Sequence, residues 1–283
     1  MKLGKAIFVL PSMITFSSVL ASFYAIILAF DPDNQKSIYL ASVLIFYAII
    51  FDGLDGRVAR MTKTQSDFGM QLDSLADAIS FGIAPAIIVY RWGLEGLGEI
   101  GMAITFIYVV AGISRLAKFN VMAINGTANK NHFSGMPIPL GAGLIVGIVM
   151  SYYQVKGLTS IPKGENPIAW QITLSVIVLV ISYLMVSNIP FKNFKHVKLN
   201  RKVVAVLLTI IAILIVSLIK GKPAFTLLAF TMIYVVANLL AGLVKFRYRK
   251  YHPSVTNLSE EDKKELLEDE YIEDSENENI SEK

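Results

Sequence analysis

Four aspartates, Asp52, Asp55, Asp73 and Asp77, fall in one short stretch with apolar runs over 38–51 before it and 79–89 after it. Carboxylates at the edge of so hydrophobic a segment are costly unless paired, solvated or bound to metal. Their spacing says which of them meet. Asp52 and Asp55 are three residues apart and Asp73 and Asp77 four apart, so on helices each pair shares one face. Gly56 and Ala59 lie close to the Asp52/Asp55 face and Gly69 one turn before Asp73, where small side chains let a ligand approach the backbone. Four carboxylates on two adjacent helices can hold two divalent cations, and Mg²⁺ and Mn²⁺ take such hard oxygen ligands while keeping positions open for phosphate oxygens. Two ions about 3.5–4 Å apart would clamp a pyrophosphate during in-line displacement. Helix caps or solvated loop acids are the plainer account. A cap explains one aspartate, however, and not four in register with three small residues and Arg60.

The elements that must carry these residues are membrane spans. The chain is 54% apolar with a mean hydropathy of +0.56, more apolar than a soluble domain. Runs long enough to cross a bilayer predict helices near 8–30, 38–60, 66–90, 98–119, 137–155, 168–188, 203–219 and 224–244. The expected fold is therefore all-α, a polytopic membrane helix bundle of about eight transmembrane helices. The aspartates run from the end of the second span into the third. Alternate loops are basic, carrying Lys2 and Lys5, Arg60 and Lys63, Arg115, Lys118 and Lys130, five cations over 192–202, and four more over 245–250. The positive-inside bias places both termini and the aspartates in the cytoplasm, in the cytoplasmic membrane. No small-residue cleavage site follows the first run, so it is expected to stay as a helix, preceded by a short interfacial turn or helix; the plainer account of Pro11 is a helix start with proline near its first turn. Without cysteine there is no disulfide and no thiolate metal site.

The pattern D-x-x-D-G-x-x-A-R-x8-G-x-x-x-D-x-x-x-D, filled here by Asp52, Asp55, Gly56, Ala59, Arg60, Gly69, Asp73 and Asp77, resembles the signature of the CDP-alcohol phosphotransferases at every fixed position. The resemblance covers about 8–190. It implies a six-helix core, usually homodimeric, that moves a phosphatidyl-type group from a CDP-linked lipid to an alcohol and releases CMP. It also implies two Mg²⁺ or Mn²⁺ ions, the first on Asp52, Asp55 and Asp73, the second on Asp55, Asp73 and Asp77. Gly56 and Ala59 would admit the cytidine nucleotide, Arg60 would pair with a phosphate, and Asp77 would take the acceptor's proton. Relatives usually read Pro-Asn-x-x-Thr near the N-terminus. Here Ser12 stands in place of that Asn and Thr15 remains, as a candidate contact to the nucleotide.

The run from Leu72 to Ala86 also resembles the phosphatidylserine synthase branch of that family. So do Arg115-Leu-Ala-Lys118-Phe-Asn120, with Lys118 where the branch has a second Arg, and Phe133-Ser-Gly135-Met-Pro137-Ile-Pro139. That branch implies CDP-diacylglycerol and L-serine as substrates. Arg suits a carboxylate through its bidentate fork and Asn offers donor and acceptor, which makes Arg115, Lys118 and Asn120 the acceptor-binding candidates. Snorkelling as interfacial anchors is the plainer account of both cations, a fair one for Lys118 and a weaker one for Arg115, which has Asn120 nearby. Ser80, Gly82 and Pro85 in the third span predict close packing and a kink.

Three further expectations complete the reading. The chain divides into a 1–190 core, a 191–250 basic linker with two more spans, and a 251–283 acidic, disordered, cytoplasmic tail. From residue 259 onward twelve acids face three lysines, a net of −9, so the rest carries +13 against +4 for the whole chain. The basic linker suits anionic lipid headgroups, and nothing calls for nucleic acid. His132, His196 and His252 fall in predicted loops without metal-ligand spacing. The rival acceptors are glycerol 3-phosphate and inositol phosphate, each calling for a larger basic cluster, and the rival donor is an archaeal ether lipid. A divalent-cation transporter is the reading outside this class, but neither inverted repeats nor broken midplane helices are visible.

Overall fold

A computed structural model of the chain describes residues 3–31, 35–62, 64, 66–125, 132–156, 167–192, 224–226, 228–229 and 231–238. The described chain is almost wholly helical: α1 (Leu3–Ala29), α2 (Gln35–Met61), α3 (Asp67–Asp77), α4 (Ala84–Val89), α5 (Glu99–Ile124), α6 (Ile138–Lys156) and α7 (Ile168–Val186). Six stretches are long and apolar enough to cross a membrane: Pro11–Ala29, Lys36–Ala59, Asp67–Leu97, Glu99–Ile124, Ile138–Val155 and Ile168–Val186. They correspond to the first six predicted spans. The predicted seventh, 203–219, and the tail lie outside the described residues. The eighth is described in part, as a shorter apolar helix over Ala224–Asn238. Its Leu228 and Thr231 lie against Gly147 and Gly143 of α6, close contacts that small residues permit.

α1 packs chiefly along α2, α5 along α7, and α2 along α6. Small residues make the first contact close: Ala25 on α1 and Ala41 and Ala48 on α2 are fully buried. Buried hydroxyls in these helices satisfy themselves, Ser22 on the Ser18 carbonyl and Ser42 on the Ile38 carbonyl, both at 2.9 Å. Large apolar side chains such as Phe16, Phe106 and Tyr183 point outward instead, as suits a lipid solvent.

Three local features differ from the expectations. α1 begins at Leu3, so Pro11 lies inside the helix rather than in its first turn. The Pro11 carbonyl oxygen lies 3.1 Å from Thr15 Oγ1. The third span is longer than predicted and is not simply kinked. α3 passes into a π-helical turn (Ala78–Ile83), then α4, a second π turn (Tyr90–Leu94) and a 3₁₀ turn (Glu95–Leu97). Pro85 has no N–H and its ring crowds the carbonyl four residues back, which a widened turn relieves. Only Gly98 separates this span from α5, with φ of 56°, a conformation glycine reaches without strain.

The third difference is a two-stranded antiparallel ribbon of β1 (His132–Ser134) and β2 (Pro190–Lys192), which places Phe133 opposite Phe191. His132 therefore belongs to a strand and not to a loop; His196 and His252 lie outside the described residues. The ribbon ends at Gly135, whose φ is 82° and whose N–H donates to the Ile189 carbonyl at 3.0 Å. A Cβ there would overlap the Met185 carbonyl oxygen and lie 2.9 Å from that of Ser187. Gly135→Ala is expected to cost roughly 1–3 kcal/mol in backbone strain alone. The melting temperature in detergent should then drop by roughly 2–12 °C. An unchanged melting curve would contradict this placement of Gly135.

Candidate active site

By contacts the chain divides into Met1–Val236 and Ala237–Lys283, and the site lies wholly in the first unit. α1 packs against both α2 and α3 and so sets the separation of the two acidic faces. Asp52, Asp55 and Asp73 each offer an oxygen within 4.8 Å of the other two. Asp55 is buried, only 4% exposed, and Asp52 and Asp73 are half-buried. Asp77 stands next to this triple, with Asp52, Asp73 and Arg115 as its charged neighbours. Three carboxylates brought this close repel one another unless a cation lies between them, and an all-oxygen donor set suits a hard divalent ion.

The α1 side of the site is more ordered than its spacing alone suggested. Thr15 Oγ1 donates to Asp55 Oδ2 at 2.7 Å, which orients that carboxylate. A cavity of about 500 Å³ opens beside the acids. Its wall includes Thr15, Asp55, Gly56, Ala59, Gly69 and Asp73, all expected, and also Pro11, Ser12, Thr64, Ser66, Asp67, Met70, Leu72 and Phe119. Ser66 is the N-cap of α3, extended at φ −145°, ψ 156°, and its hydroxyl accepts from the Gly69 N–H at 3.0 Å. The first turn of α3 thus faces the cavity, where a helix N-terminus favours an anion. A serine directly before an acid and a new helix is a sequence-level cap signal, and it could have located Ser66. Phe119 lay between Lys118 and Asn120 without a marker of its own. Arg60 falls in the last turn of α2, and its side chain lies outside the described residues.

The three acceptor candidates on α5 separate. Arg115 is nearest the chemistry: it lies beside Asp77, its guanidinium is 5.9 Å from the centre of the Phe119 ring, and its buried Nε has no hydrogen-bond partner. Asn120 instead joins α5 to α3, with its amide Nδ2 donating to Ser74 Oγ at 2.9 Å and to Gln71 Oε1 at 3.4 Å. Lys118 reaches away to Asn188, beyond the end of α7, donating to its Oδ1 at 2.9 Å. Arg115 and Phe119 are thus the residues of this motif that meet the acids and the cavity, while Lys118 and Asn120 hold neighbouring elements.

An acid cluster beside a cavity large enough for a nucleotide, on helices long and apolar enough to cross a membrane, fits an intramembrane enzyme of phosphoryl chemistry. A sequence model of CDP-alcohol phosphatidyltransferases matches residues 8–181. The chain belongs to that family. It is 36% identical to a CDP-diacylglycerol--serine O-phosphatidyltransferase of Helicobacter pylori over 240 residues, 84% of this chain and 92% of that one. It is 32% identical to a protein of the same name from Mycobacterium tuberculosis, over 87% of this chain and 82% of the relative. It is also 32% identical to the archaetidylserine synthase of Methanothermobacter thermautotrophicus, over 64% of this chain and 69% of the relative.

Proposed function

We propose that the chain transfers a phosphatidyl group from CDP-diacylglycerol to the hydroxyl of L-serine, giving phosphatidylserine and CMP. The observation that carries the choice of serine is the place of Arg115 among the charged neighbours of Asp77. A base and a bidentate cation side by side suit an acceptor whose hydroxyl and carboxylate are only a few bonds apart. Glycerol 3-phosphate or inositol phosphate would call for more positive charge, and Lys118 is occupied at Asn188. Serine is also the acceptor in the names of all three relatives, whether the donor lipid is diacylglycerol or archaeal.

Asp52, Asp55 and Asp73 would hold one Mg²⁺ or Mn²⁺, and Asp55, Asp73 and Asp77 would share a second. When bound, such ions offset charge on the pyrophosphate and on departing CMP. The rest falls to the protein's own groups. Thr15 keeps Asp55 turned inward, and Gly56, Ala59 and Gly69 leave room for the nucleotide. Arg60 would pair with a phosphate. Asp77 takes the serine hydroxyl proton while the oxygen forms its bond to the lipid-linked phosphorus and the bond to CMP breaks. No covalent enzyme intermediate is needed.

The frame around the site follows the charge pattern. Residues 1–190 form the core, 191–250 a basic linker with two further spans that make eight, and 251–283 an acidic tail. Both termini and the site face the cytoplasm, where serine and CMP are soluble, and the enzyme works as a homodimer.

Turnover of purified protein with CDP-diacylglycerol or its ether analogue, Mg²⁺ or Mn²⁺, and an acceptor panel tests this. CMP release with serine should exceed that with glycerol 3-phosphate or inositol phosphate by about 10²-fold or more. Faster release with a phosphorylated acceptor would overturn the serine assignment. Divalent-ion flux into proteoliposomes without CMP release would favour a transporter.

A further inference from the structure

The proposed reaction makes no use of the Tyr108 hydroxyl. Tyr108 on α5 is 0% exposed, and its Oη donates to the Phe81 carbonyl at 2.8 Å. The sequence explains why that carbonyl is open to a donor from outside its helix. In a regular α-helix it would accept from the N–H four residues on, but that residue is Pro85, which has none. The chain instead widens into the π turn over Ala78–Ile83, where the Ala84 N–H bonds to the Ile79 carbonyl five residues back. Tyr108 supplies the donor that Pro85 lacks, and a buried carbonyl without one is costly.

The placement of this turn links it to the chemistry. It starts at the residue directly after Asp77. One extra residue in a turn rotates the two halves of a span by about 100° relative to an unbroken α-helix. The far half is fixed in the core by Ala84, Ile88 and Trp92, none more than 3% exposed. The angle at which Asp77 meets Asp52 and Arg115 therefore depends on the π turn. We propose that Tyr108 is a positioning residue whose hydroxyl keeps this turn open and so aims Asp77 at its partners. The catalytic consequence rests on the reading of Asp77 as the base, whereas the hold on the turn does not.

Tyr108→Phe keeps the ring and removes only the donor. Its kcat for serine should fall about tenfold, the order expected from one buried hydrogen bond, with the KM for CDP-diacylglycerol little changed. Amide hydrogen exchange over 78–86 should quicken. Pro85→Ala returns an N–H to the Phe81 carbonyl and lets the turn relax toward α, so it too should lower kcat. In that background Tyr108→Phe should change kcat by less than about twofold. Equal losses in both backgrounds, or a Tyr108→Phe enzyme with wild-type kcat and exchange, would overturn the proposal. Should Tyr108→Phe fail to fold, the double variant should fold, and failure of both would equally overturn it. If wild-type protein releases CMP with no acceptor while Tyr108→Phe still speeds exchange over 78–86, the proposed reaction fails and the hold on the π turn stands.

Discussion

Replacing Asp73 by asparagine should lower phosphatidyl transfer by about 10³-fold or more, a loss of about 4 kcal/mol of transition-state stabilisation. Asp52→Asn should do the same. Each change keeps the shape of the side chain and removes one negative charge from a set of carboxylates whose oxygens lie within 4.8 Å of one another. The amide could still offer an oxygen, but it would hold a divalent ion more weakly and balance its charge less well. The half-buried position of both residues means that neither change leaves a buried charge unpaired, so the variants should fold and purify as the wild type does. CMP release at saturating Mn²⁺ is the measurement. A rate within tenfold of wild type for either variant would remove the two-ion reading. It would leave the triple as acids that merely face one another.

The acids were legible in the sequence because helical spacing makes a definite geometric statement. Residues three and four apart share a face, and two such pairs flanked by apolar runs have few places to go. The six spans were legible for a similar reason, since a membrane requires long apolar runs and the chain supplies them. What spacing does not encode is a contact between distant elements. Nothing local to Lys118 points to Asn188, and nothing local to Asn120 points to Ser74. Thr15 was marked as a nucleotide contact, but its bond to Asp55 joins residues forty positions apart. The π turns were hidden for another reason. Pro85 signals that a regular helix is in trouble, but whether the chain kinks or widens depends on packing in α5 and α6, and on whether a donor such as Tyr108 is at hand. The ribbon of β1 and β2 is three residues a strand, too short for alternation to show, and it forms because the ends of α5 and α7 bring the segments together.

Arg115→Lys should raise the KM for serine about tenfold or more while leaving the KM for CDP-diacylglycerol nearly unchanged. The substitution keeps the charge, so a simple electrostatic role would predict little effect. The guanidinium differs in what it can do in this place. It lies beside Asp77 and near the Phe119 ring, and its buried Nε has no partner within the protein. An unsatisfied N–H in a planar fork is what a carboxylate acceptor would use, and a lysine ammonium has no second parallel donor. A charged hydrogen bond contributes roughly 1.5–3 kcal/mol, and each 1.4 kcal/mol is a factor of ten. The acceptor itself gives a second handle. Serine methyl ester, without the carboxylate charge, should be a poor substrate for the wild type and should lose less than serine does on Arg115→Lys. If the mutation instead raises the KM for the lipid and leaves serine untouched, Arg115 serves the phosphate side of the site. The preference for serine would then have to arise elsewhere around Asp77.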